Sequence, residues 1–177
     1  MEKSNYIMKM SFSALFLAIA YVLPFLTGQI QQIGNMLCPM HIPVLLCGFI
    51  CGAPWGLLVG VIAPILRSAM LGMPQMFPVA FCMALELGTY GGIAGFLHKK
   101  LPNRKEFVYI SLVMAMICGR VIWGIAMFVS MRIAGGWFGI EAFITGAIIN
   151  AIPGMILQLI LVPILVVSLE KSAKNYF

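Results

Sequence analysis

Acid is what this chain has least of. It holds no aspartate and five glutamates in 177 residues, against eleven lysines and arginines, and charged residues make up 9% of it, where a soluble domain carries roughly 25%. No pair of acids stands at a spacing suited to acid–base chemistry. There are two histidines, and His41 and His98 fall at opposite ends of the predicted bundle, too far apart to act together. A Ser/His/Asp set, an HExxH zinc motif and a Walker glycine loop are all missing, so the chain has no means of hydrolysing ATP by itself. A membrane enzyme or accessory scaffold is disfavoured on the same ground, and no cofactor is implied. The five cysteines, Cys38, Cys47, Cys51, Cys82 and Cys118, lie mostly inside apolar segments. Cys47 and Cys51 share a helical i, i+4 spacing, but His41 is the one further metal ligand nearby, so they read as buried small hydrophobes rather than a metal or disulfide framework.

What the chain has in abundance is apolar surface. Hydrophobic residues are 62% of it and the mean hydropathy is +1.05, the composition of an integral membrane protein. A span needs about 20 mostly apolar residues, and there is room for six, leaving none for a soluble catalytic domain. Phe107 to Met131 and Phe143 to Leu169 are continuous apolar runs, not the short alternating segments of a barrel. The fold class expected is therefore all-α, a single compact bundle over residues 1–177. The spans fall at 10–27, 41–52, 55–72, 76–97, 107–132 and 142–169. The second is short and framed by Pro39, Pro43 and Pro54. Lys3 and Lys9 precede an apolar stretch that runs into Pro24 and Gly28 with no small-residue cleavage site, which predicts a retained first helix rather than a signal peptide.

Six spans put both termini on one side. That side collects Lys3, Lys9, Lys99, Lys100, Arg104, Lys105, Lys171 and Lys174, and the opposite loops almost none, so both termini are expected in the cytoplasm of a multi-pass cell-membrane protein. The net charge of +6 is then a topology signal that needs no nucleic acid. On the outer side Thr27–Met40, with its amides and two glycines, is long for so economical a chain and reads either as a lid or as a passive connector. Trp137 reads as an interface anchor.

Three full charges sit inside the apolar spans: Arg67, Glu86 and Arg120. An ionisable group at membrane depth costs roughly 2.5–3.5 kcal/mol on insertion scales and usually faces a partner, a cavity or a ligand. Counting rise along the helices puts all three in the middle-to-outer half at similar depth. If they share one cavity, Glu86 neutralises one guanidinium and the surplus positive charge favours an anion, for which arginine offers a bidentate fork. The competing reading is a structural Glu–Arg pair with the other arginine snorkelling to the interface. Asn150, Tyr90 and Gln75 lie at neighbouring depths as candidate polar contacts, Trp123 as a candidate wall, and Gln158 deeper as a helix contact.

Small residues repeat at i, i+4 in two spans, Ala14 with Ala18 and Gly56 with Gly60, where another helix can approach closely. Together with the short size, the six spans and the stretch MHIPVLLCGFICGAPWGLLVGVIAPILRSAMLG (Met40–Gly72), they make the chain resemble the substrate-binding S components of energy-coupling factor (ECF) vitamin transporters. Within that family NMLCPMHIPVLLCGF and PILRSAMLGMP look most like the pantothenate-specific members.

The resemblance implies a membrane-embedded subunit that captures a vitamin from outside and associates with a transmembrane coupling protein and two cytoplasmic ATPases. Ala14 and Ala18 match the family's first-helix motif for the coupling protein. It further implies that the subunit topples in the membrane to deliver its ligand and that Thr27–Met40 is the gate. Arg67 and Arg120 would then meet the ligand's charge, Glu86 would orient an arginine or accept ligand donors, and Asn150, Tyr90 and Gln75 would supply polar contacts. An anionic vitamin such as pantothenate suits these residues, as do biotin and folate. The alternative from the residues alone is an ion-coupled secondary carrier for a small organic anion with Glu86 as its proton site, although no inverted repeat is visible.

Overall fold

The computed structural model describes residues 2–27, 38–102, 105–136, 139–147 and 151–173. Among them are seven α-helices and no strand: α1 Glu2–Val22, α2 His41–Cys51, α3 Ala53–Leu71, α4 Phe81–Lys100, α5 Lys105–Ile133, α6 Ile140–Ala147 and α7 Ile152–Ala173. Five helical stretches are long and apolar enough to cross a membrane, with α2 as a shorter apolar helix. Large apolar side chains such as Ile117, Ile125 and Ile164 stand more than half exposed on the outside, the reverse of a water-soluble surface and suited to lipid.

Local sequence sets the helix ends. After Val22 the chain tightens into a 3₁₀ turn at Leu23–Thr27, where Pro24 cannot continue the α-helix hydrogen bonding. Gly52 alone joins α2 to α3: its φ of 97° lies in the left-handed region, its N–H bonds the Gly48 carbonyl at 3.1 Å, and Pro54 sits in the first turn of α3. A proline there is preorganised for helix start, and the glycine tolerates the positive φ. Gly72 ends α3 in αL with its N–H on Ser68 O at 2.9 Å. Met76–Ala80 forms a separate wider turn ahead of α4, interrupted at Phe77, whose extended backbone precedes Pro78.

Within the expected span 142–169 the described residues form α6 and α7, and residues 148–150 between them lie outside the described residues. Pro153 falls in the first turn of α7, where its missing N–H costs nothing.

α3 and α4 make the most extensive contact in the bundle, followed by α4 with α5 and α2 with α4, so α4 is central. Glycines make this possible. A Cβ at Gly91 would overlap the Gly56 backbone, one at Gly60 the Leu87 backbone, and one at Gly95 the Gly52–Ala53 link. The Gly56/Gly60 pair thus serves packing inside the bundle. α1 covers α2 and α3 from one side, with Cys47 Sγ 3.5 Å from Ser13 Oγ and the Tyr6 and Trp55 rings 5.3 Å apart. Ala14 and Ala18 point away from this contact and are exposed.

Candidate functional site

Glu86 is the centre of the polar interior. It lies on α4 and is 2% exposed. Its Oε1 is 3.1 Å from Arg120 Nη1 on α5 and 3.5 Å from His41 Nε2 at the start of α2. Arg120 Nη2 donates to Cys38 Sγ at 3.7 Å. Tyr90, one turn along α4 from Glu86, is fully buried, meets the His41 ring edge-on at 5.0 Å and lies over Gly119 of α5, where a Cβ would strike its ring. Three helices and the residues leading into α2 thus converge on one carboxylate. A buried pair of this kind gains Coulomb energy only against the cost of removing both ions from water.

The convergence is incompletely satisfied. His41 Nδ1 and Nε2, Tyr90 Oη and Arg120 Nε are buried with no hydrogen bond of good geometry among the described residues. Each such atom typically costs about 1–3 kcal/mol. Buried groups left open in this way need a ligand, a water or another reason to exist.

Arg67 stands apart. Its Nη1 donates to the Tyr21 carbonyl at 3.0 Å and its guanidinium lies 5.1 Å from the Phe25 ring centre, so its described contacts belong to α1 and the turn after it. The packing of Gly56 on Gly91 and of Gly60 on Leu87 sets an antiparallel register that brings Arg67 level with Ala80. That is about six residues, or roughly 9 Å of helix rise, nearer the Met76 end than Glu86. Counting from predicted span ends puts the three charges at one depth; the register separates Arg67 from the other two. Its partners there bear no negative charge, so Arg67 supplies the surplus positive charge of the interior.

Gln75 is exposed, and its carbonyl accepts the Ala80 N–H at 2.9 Å. Trp123 packs on α6, 6.5 Å from the Phe143 ring and against Gly146. His98 meets Phe49, 5.1 Å between rings, eight residues along α2 from His41, so the two histidines remain apart. Asn150, Trp137, Arg104 and most of the Thr27–Met40 segment lie outside the described residues; of that segment Pro39 and Met40 are buried.

His41 and Cys38 are the members of the cluster that the sequence did not single out for it. Their one signal is position: Cys38 directly precedes Pro39 and His41 opens the shortest span. Gln158 is fully buried, yet neither amide atom has a hydrogen-bond partner among the described residues.

The family model described as ECF transporter, substrate-specific component, matches residues 8–166. No curated protein and no solved structure shows a significant match to the chain. On that match, spread over an apolar helical bundle without strands among its described residues, the chain belongs to the family of ECF transporter substrate-specific components, membrane-embedded substrate-binding subunits that are not enzymes.

Proposed function

We propose that this subunit captures a small anionic vitamin, pantothenate being the best fit, in the outer half of the membrane and hands it to an ATP-driven uptake complex made with a coupling protein and two ATPases. Both termini then face the cytoplasm, where Lys99, Lys100 and Lys105 gather at one end of α4 and α5. The observation that carries the reading is the buried Glu86–Arg120 pair with open hydrogen-bonding atoms on His41 and Tyr90 beside it. One carboxylate against two guanidiniums leaves an excess of positive charge, and the excess resides on Arg67. An elongated acid, with its carboxylate toward Arg67 and its hydroxyl or amide groups toward Glu86, His41 and Tyr90, answers both features. Arg120, its charge already balanced, orients Glu86. Asn150 and Gln75 stand as further polar contacts from the outer end.

Ala14 and Ala18 form the contact for the coupling protein in this reading. They lie on the exposed side of α1, with no bulky residue between them along the i, i+4 line, so a partner helix can come close.

Binding of a panel of labelled vitamins to the purified protein is the direct test. Saturable binding of pantothenate, competed far better by acidic analogues than by neutral ones, is the expected result. Uptake into liposomes by this chain alone, driven by an ion gradient without ATP, would overturn the reading in favour of a secondary carrier.

A further inference from the structure

Gln158 lies on α7 and is 0% exposed, yet neither Oε1 nor Nε2 has a hydrogen-bond partner among the described residues. An amide offers an acceptor and a donor side by side, and burying both unmet in a lipid-embedded bundle is costly. Along its own helix nothing among the described residues answers it. Toward the start of α7, the buried positions one and two turns away are Gly154 and Ala151, with no side chain beyond a methyl. Deeper on the same face come Val162 and Val166, both apolar.

The place of this amide along the bundle follows from helix register. A groove of about 380 Å³ brings the first turns of α5, at Lys105 and Tyr109, beside the last third of α7, at Ile164 and Ser168; the two packed helices therefore run antiparallel, which sets Gln158 within about one turn of the level of Ala115. Gly119, one turn further along α5, carries the Tyr90 ring. Helical side chains lean toward the N-terminus of their own helix, so the Gln158 amide reaches back toward the level of Gly154 and Gly119. Tyr90 Oη, also buried without a hydrogen bond, belongs to that same layer.

We infer that Gln158 is a specificity-determining residue: its Oε1 accepts the N–H of a secondary amide of the bound substrate, whose carbonyl points the opposite way, and its Nε2 donates to a second oxygen of the same ligand, with Tyr90 Oη as neighbour. This rests on the substrate site proposed above and deepens it, since it demands a ligand with a secondary amide rather than any acid of suitable size. Hydrogen-bonding sites of this type discriminate strongly, because a ligand lacking the group leaves the amide of the protein unmet.

The test is calorimetric titration of the full-length protein in detergent with pantothenate and with its ester analogue, in which oxygen replaces the amide N–H. Wild type should bind pantothenate at least tenfold more tightly than the ester. Gln158→Met, which keeps the volume, should lose tenfold or more for pantothenate and bring the two ligands within about threefold of each other. Its unfolding temperature without ligand should stay level or rise, because two unmet polar atoms are gone. Unchanged pantothenate affinity in a folded Gln158→Met protein, or an equal loss for both ligands, overturns the role of Gln158 and leaves the site reading standing. If wild type binds neither compound, the substrate proposal falls and this inference falls with it.

Discussion

Arg120 Nη1 lies 3.1 Å from Glu86 Oε1, inside a bundle where the carboxylate is 2% exposed. Removing either partner strands the other as a buried charge, a loss of about 3–5 kcal/mol. Glu86→Gln and Arg120→Met should each lower the unfolding temperature markedly, while the double variant should recover most of the loss. Thermal unfolding in detergent without ligand, run as a double-mutant cycle, measures the coupling. Strictly additive losses would mean that the two side chains do not act as a pair.

The backbone contact beneath this pair makes a separate claim. Gly91 and Gly56 touch with no room for a Cβ on either, whereas a Cβ at Gly92 would meet nothing nearer than 3.6 Å. Gly91→Ala should therefore destabilise by about 2 kcal/mol or more through overpacking, within the roughly 1–3 kcal/mol that such substitutions cost. Gly92→Ala should be neutral or stabilising by about 0.5–1 kcal/mol, from reduced freedom of the unfolded chain. Similar unfolding temperatures for the two variants would refute the α3–α4 register, and with it the placement of Arg67.

Much of this architecture was legible in the residues, for reasons that differ by element. α5 is bounded by Lys105 and Arg132 around an unbroken apolar run, and hydropathy alone finds it. Depth puts Glu86 and Arg120 at one level, because helix rise is constant and both count inward from identifiable ends, but it leaves open which arginine Glu86 meets. Arg67 shows where counting fails. Its level depends on how far α3 slides along α4, and that is set by which glycines meet. His41 was hidden for a related reason: a lone histidine at a helix start has no pattern, and only the packing of α2 beside α4 brings it to Glu86.

Arg67 should discriminate by ligand charge. Under the proposed function its guanidinium meets the carboxylate of the vitamin, so Arg67→Met should weaken pantothenate binding by about 1.5–3 kcal/mol, the worth of a charged hydrogen bond, or roughly ten- to a hundredfold. The neutral primary carboxamide of the same acid should bind wild type and variant alike. Direct binding of both compounds to both proteins decides this. An equal loss for acid and carboxamide would show that Arg67 matters only through its bond to the Tyr21 carbonyl, as a clasp between α1 and α3.

The exposed side of α1 makes the prediction furthest from the ligand. Ala14 and Ala18 take no part in the packing of α1 on α2 and α3, where Ser13, Phe16 and Ala20 are the buried positions. A bulky side chain there has space in the isolated subunit but holds a neighbouring helix away. Ala14→Trp and Ala18→Trp should leave vitamin affinity within about twofold and the unfolding temperature unchanged, since a surface substitution of this kind usually shifts stability by less than about 0.5 kcal/mol. The same variants should lose copurification with the coupling protein and ATPases, and uptake with it. Close helix approach depends on small residues at this spacing, so Ala14→Gly should keep the complex where Ala14→Trp does not. Intact complexes with both tryptophan variants would move the docking surface to another face of the bundle, whereas loss of vitamin binding would show that α1 supports the site.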